Sequence, residues 1–255
     1  MSCNRTLNRY KAVVEYDGCC FCGFQKQNSS LQTVQQLLET AIFKLTSENV
    51  VVVGAGRTDT GVHARGQVIH FDLSKEMSLK VLHQGMNFYL EDISVLSLEE
   101  VSMDFHARFN AIQRSYEYHI VNRPVKLALE KNRAWHVFYS LDVEKIYEGT
   151  KIFLGQHNFS AFKSSRSSDT RSERTIDVFD VVISQDRIVY TVKARSFLHH
   201  QVRMMVGTLI WYAAGKITKQ NIQDALRTGV KKNIGPTAPS QGLYFMDVLY
   251  NNDLE

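Results

Sequence analysis

The chain has no long apolar run. Its longest mostly apolar stretch, Met204 to Ala214, falls far short of the ~20 residues that a membrane-spanning helix requires. The first residues, "MSCNRTLNRYK", lack the apolar centre of a secretory signal, so the cytoplasm is the expected location and no membrane partner is expected. Proline is rare, with three among 255 residues; together with 44% hydrophobic and 22% charged residues this excludes the composition of a disordered or fibrous chain. Cysteine is scarce as well. All four, Cys3, Cys19, Cys20 and Cys22, fall in the first 22 positions. Cys19 and Cys22 have CxxC spacing, but no second pair and no histidine follows at zinc-finger distance, so reduced thiols and no bound metal are expected. The pair His199-His200, read as helical, points about 100° apart and cannot meet one metal from one face.

Charge of either sign is not in large excess. The net charge is +4, yet the basic residues gather in 57–65, 163–174 and 193–203, while acids gather in 91–100, 142–148 and the tail. A basic face opposite an acidic one suits a nucleic-acid binder.

Hydrophobic period predicts a strand over 10–18, a helix over 31–45 capped at Ser29 or Ser30, strands over 49–56 and 66–73, a helix over 78–89 and a strand over 92–101. That order is β-α-β-β-α-β, the ferredoxin-like unit. The second half repeats it: strand 114–121, helix 142–154, strands 174–184 and 187–195, helix 197–215, a short helix over 219–227 and strand 242–250. The expected fold class is α+β, with two ferredoxin-like domains, 1–107 and 108–255, whose antiparallel sheets flank a central basic cleft.

The stretch "GAGRTDTGVHARGQ" (54–67) holds the densest chemistry. Its glycines do not have dinucleotide-loop spacing, and no G-K-[ST] completes a Walker loop. Asp59-Thr60-Gly61 spells the aspartic-protease triplet, but no second triplet supplies the partner carboxylate, and the nearby cations Arg57 and Arg65 favour an ionised aspartate over one that shares a proton. A tight turn capped by Asp59, with glycines supplying positive φ, explains part of the pattern. It does not explain Arg57 and His63. A lone ionised aspartate flanked by cations suits a nucleophile that attacks an electrophilic carbon and later leaves.

"AGRTDTGVHARGQVIHF" resembles the signature of the TruA-type tRNA pseudouridine synthases, and so, in order, do "YDGCCFCGFQKQ" (16–27), "DFHARFNAIQRSYEY" (104–118), "FLHHQVRMMVG" (197–207) and "TAPSQGLYF" (237–245). Thr60 stands where many members have alanine. The resemblance implies two ferredoxin-like domains around a basic cleft, a homodimer, no cofactor and no metal. The implied activity is isomerisation of uridine to pseudouridine in the tRNA anticodon stem-loop, at positions 38, 39 and 40. Asp59 then corresponds to the catalytic aspartate, Arg203 to the residue that keeps it ionised, and Tyr116 to a tyrosine that stacks on the uracil. Whether Asp59 attacks the sugar carbon or removes a ribose proton stays open at this stage. Arg57 corresponds to the arginine that displaces the base, and Leu243 lines the uracil pocket. Arg108, Arg166, Arg171 and Arg174 are candidates for phosphate contacts. Two alternatives come from other classes. A non-catalytic RRM-like module would need the RNP1 aromatics, which are absent, and a tRNA-folding chaperone would keep its activity without Asp59.

Overall fold

In a computed structural model, residues 7–27, 31–165 and 170–254 are described. The chain divides into two compact units: 1–112 together with 245–255, and 113–244. The sequence pattern puts the division at 107 and leaves the last strand wholly in the second half.

The first unit contains β1 (Asn8–Tyr16), α1 (Val34–Thr46), β2 (Val53–Gly54), β3 (His63–Leu73), α2 (Leu79–Tyr89) and β4 (Ile93–Val101). β1 lies between β4 and β3, antiparallel to both. Its alternation explains why: Tyr10, Ala12, Val14 and Tyr16 are buried, while the intervening side chains are more exposed. α1 buries Val34, Leu38, Ala41 and Ile42, the i, i+4, i+7, i+8 positions of one face. Thr33 caps it, accepting from Gln36 N at 3.3 Å; Ser29 and Ser30 lie outside the described residues.

The strand expected over 49–56 shrinks to two residues. α1 side chains capture the backbone just before it, since Gln35 Nε2 donates to Val52 O at 3.1 Å and Val52 N donates to Glu39 Oε1 at 3.3 Å. Just after it, the Gln67 side chain takes both Gly56 N (3.3 Å) and Gly56 O (2.8 Å), replacing a ladder partner.

The second unit holds most of β5 (Ala111–Asn122), then β6 (Trp135–Val137), α3 (Val143–Ile152), β7 (Gly155–Asn158), β8 (Glu173–Ser184), β9 (Arg187–Ala194), α4 (Gln201–Ala213), α5 (Lys219–Thr228) and the start of β10 (Leu243–Tyr250). β5, β9, β8 and β7 are neighbours in that order, all antiparallel, and β6 pairs parallel with β5. β6 and β7 escaped the sequence pattern because three or four residues are too few to show a period. α4 starts four residues later than expected: His200 has φ 67°, a left-handed conformation that no helix continues through. His199 and His200 therefore precede the helix, with ring centroids 4.0 Å apart, which removes the helical argument used for them above. From Phe245 onward β10 belongs to the first unit, beside β3.

His70 on β3 carries a stability prediction. It is 4% exposed, accepts from Ala107 N at 3.2 Å on Nδ1 and packs against the His106 ring at 4.7 Å. Burial pushes its pKa down to about 4, helped by the His106 and Arg9 charges and opposed by Asp72. In the unfolded chain a histidine titrates near 6.5, so between these values the unfolded state binds more protons and stability falls as pH falls. From pH 7 to pH 4, where the folded site is half protonated, this corresponds to a loss of about 3 kcal/mol. Urea midpoints at both pH values for wild type and His70→Asn, whose carbonyl can replace the Nδ1 acceptor, check this. Equal pH slopes in the two proteins would assign the acid loss elsewhere.

Candidate active site

Asp59 sits in the loop between β2 and β3, half-buried, with Arg57 exposed two residues before it. The loop is fixed from several directions. Tyr16 at the end of β1 is buried and its hydroxyl shares a 2.8 Å hydrogen bond with Thr58 Oγ1. Burial raises the Tyr16 phenol to about 12, against the hydrogen bonds to Thr58 and Gln67, so it stays protonated at neutral pH. Phe24 N donates to Thr58 O at 3.0 Å, and Val62 N closes a turn onto Asp59 O at 3.1 Å. These bonds hold Asp59 through its own carbonyl and through the side chain and carbonyl of Thr58, so the loop is ordered in the free protein.

Of the three glycines in "GAGRTDTG", only Gly61 needs positive φ, at 78°. Gly54 and Gly56 serve close approach: a Cβ on Gly54 would meet the Phe24 ring at 2.6 Å, and one on Gly56 the Phe245 ring at 2.8 Å. The turn explanation therefore covers one glycine and ring packing covers the other two. Sequence reasoning passed over Tyr16, Phe24 and Gln67, which hold the loop, although each lies within a motif quoted above.

Arg203, Tyr116 and Leu243 belong to the second unit. Arg203 lies in the first turn of α4, half-buried, and its Nε donates to Ala238 O at 2.8 Å while Ala238 N returns a bond to Arg203 O at 3.0 Å. The same helix face admits the 235–238 segment at very short range. A Cβ on Gly207 would fall 1.8 Å from Pro236 O, and Gly235 N donates to Thr208 Oγ1 at 3.1 Å. Tyr118, two residues along β5 from Tyr116, donates to Pro239 O at 2.6 Å. Its phenol is pushed well up by burial, against the lowering effect of the Arg203 charge. One backbone segment thus links the arginine to the tyrosine strand.

Tyr116 is 8% exposed and meets the Phe197 ring edge-on at 5.1 Å. Leu243, at the start of β10, is buried. Among the arginines, Arg108 is exposed over the Phe109 ring at 5.9 Å, and Arg171 is exposed. Arg174 is half-buried, and its Nη1 donates to the carbonyls of Arg171 (3.0 Å) and Glu173 (2.8 Å). Arg166 lies outside the described residues.

Comparison with known proteins agrees with the residue pattern. The family model described as tRNA pseudouridine synthase matches residues 12–110 and 150–251. A tRNA pseudouridine synthase A of Ehrlichia ruminantium (strain Welgevonden) is 42% identical over 245 residues, covering 95% of this chain and all of the relative. The enzyme of the same name from Sinorhizobium medicae (strain WSM419) is 44% identical over 248 residues, covering 96% and 100%. A chain of the crystal structure of a Cbf5-Nop10-Gar1 complex superposes at a TM-score of 0.40 with 12% identity over 92% of this chain and 48% of its own, too slight a likeness to add to the sequence match. No helix among the described residues is long and apolar enough to cross a membrane. By the extent and identity of these matches, the chain belongs to the tRNA pseudouridine synthase family and is an isomerase.

Proposed function

We propose that this enzyme converts uridine to pseudouridine at positions 38, 39 and 40 of the tRNA anticodon stem-loop, with Asp59 as the only carboxylate that reacts. The observation that supports it is the bracing of the Asp59 loop by Tyr16, Phe24 and Gln67, which spends four hydrogen bonds on a segment of a few residues. The chemistry asks for no more than one carboxylate. The bond from uracil N1 to the ribose carbon breaks, the base turns, C5 joins the same carbon, the C5 proton leaves and N1 takes up a proton. Nothing is gained or lost, so neither water nor a cofactor enters. A carboxylate that attacks the sugar carbon and one that removes a ribose proton are both regenerated at the end. Ordinary glycoside hydrolysis needs a second carboxylate because water must be activated.

The other roles follow the family likeness. Arg203 keeps Asp59 ionised, a task for which a guanidinium is fitted because it holds its charge when buried. Tyr116 stacks on the uracil, Leu243 lines its pocket and Arg57 helps displace the base, since a uridine within a stem must leave the stack at a cost of a few kcal/mol. Arg108, Arg166, Arg171 and Arg174 contact phosphate. Each unit is read as ferredoxin-like, and the enzyme as a cytoplasmic homodimer that works without metal.

The direct test incubates the protein with an unmodified tRNA transcript and maps pseudouridine by carbodiimide labelling and primer extension. Stops at the three anticodon-arm positions are expected. Product at other uridines would remove the substrate assignment and leave the family. Arg203→Ala should lower kcat on the order of 100-fold with tRNA affinity nearly unchanged. If affinity alone falls in a filter-binding titration, Arg203 is a phosphate contact instead.

A further inference from the structure

We infer that Phe109 is a stacking platform for an unpaired base of the RNA substrate, an inference that rests on reading tRNA as that substrate but not on which uridine reacts. The ring lies in the turn between β4 and β5 and is 74% exposed. The chain that carries it is held far more firmly than a solvent-facing side chain requires.

Three strands of the first unit fasten this turn. From β1, Arg9 Nη1 donates to Met103 O and to Phe105 O, both at 2.8 Å. From β3, His70 Nδ1 accepts from Ala107 N, and from β10 the Tyr250 hydroxyl donates to Ala107 O at 2.7 Å. Within the turn, His106 Nδ1 accepts from both Arg108 N (3.1 Å) and Phe109 N (3.2 Å). Asn110 N donates to His106 O at 3.0 Å, and the Asn110 side-chain oxygen accepts from His106 N. A protonated His106 has no lone pair for those two amides. Burial, with the Arg9 charge nearby, lowers its pKa, so the imidazole is neutral at pH 7.

The two phenylalanines of the turn are used differently. Phe105 packs inward, 5.1 Å from the Tyr250 ring, with Lys11 Nζ 5.6 Å from its own centroid. One side of the Phe109 ring is covered by the His106 ring, 4.3 Å away and inclined at 30°, and the rest is open to solvent. Such a pair of rings accepts a base as a third layer by its π face, without reading its hydrogen-bonding edge. Arg9 and Lys11 alternate with the buried Tyr10 and Ala12 along β1, so the turn sits on the less buried face of the sheet. Arg108 and Asn110, on either side of Phe109, are exposed and polar. That setting suits the phosphates flanking a stacked base, not the contiguous apolar patch that a protein partner buries. Because the turn is ordered before RNA arrives, little of the stacking is lost to fixing the ring.

Filter binding of an unmodified tRNA transcript to Phe109→Ala, Phe109→Leu and Phe109→Trp tests this. Loss of one stacked base corresponds to a Kd about 5- to 100-fold higher for the alanine variant, and leucine, apolar but without a π face, should recover little of it. Tryptophan should bind at least as tightly as wild type. The slope of log Kd against log salt should match wild type in all three, since no phosphate contact is removed. Urea midpoints should match as well, because the ring is exposed. Wild-type affinity in the alanine variant, full recovery by leucine, a shallower salt slope or a lowered urea midpoint each overturns the platform. Pseudouridine at other uridines would remove the assignment of positions 38, 39 and 40 and leave these binding ratios unchanged.

Discussion

Asp59→Ala is expected to reduce pseudouridine formation by on the order of 10⁴- to 10⁶-fold while tRNA still binds. The size follows from the role. A group that forms or breaks a bond at the reacting centre has no substitute when it is the only carboxylate in use, and the remaining side chains can only position a substrate that no longer reacts. Binding should survive because the bonds at Thr58 and at the Asp59 carbonyl, which help to hold the loop, are left in place by the substitution. Asp59→Glu sharpens the test. Its carboxylate is about 1 Å or more out of place, and such a displacement costs about 10²-fold, so glutamate should be impaired but above alanine. Single-turnover rates with labelled transcript measure both. Product at wild-type rate from the alanine variant would end the nucleophile assignment and favour the chaperone alternative.

Gly207→Ala is the second large effect, and here two contributions oppose each other. Within a helix, alanine is preferred over glycine by about 1 kcal/mol, so propensity alone predicts a gain. Against this, the new methyl would lie 1.8 Å from the Pro236 carbonyl oxygen and 3.2 Å from Ala238 N. Both are backbone atoms and neither can rotate away. Overpacking of this kind costs about 3 kcal/mol, which outweighs the propensity gain, and urea unfolding should report a net loss. The damage should reach catalysis too. Displacing 235–238 breaks the reciprocal bonds between Ala238 and Arg203, so kcat should fall even where the variant is folded. A variant at least as stable as wild type would mean that this contact is slack.

Legibility in the sequence followed element length and distance along the chain. β1, α1 and β8 were readable because each extends over nine or more residues with one buried face. β2 was overread: four consecutive valines look like a strand, yet the partners that intercept their backbone, Gln35 and Glu39, lie in the preceding helix. The start of α4 was misplaced because His200 adopts a left-handed turn that apolar periodicity does not encode. Asp59, Arg57 and Arg203 stood out through motif likeness. Tyr16 and Gln67 did not, since a buried phenol and a buried amide reveal their purpose only through the atoms they meet across the fold.

The return of β10 to the first unit has a consequence for the order of folding. Phe245 packs where a Cβ on Gly56 would stand, three residues before Asp59 and far from Phe245 along the sequence. The Asp59 loop therefore shares its packing with a strand that the whole second unit separates from it in sequence. Contacts of such long sequence separation form slowly because the entropy of closing the intervening chain must be met first, so the seat of this loop is expected to be completed late, after the local β1–β3 and β1–β4 pairings.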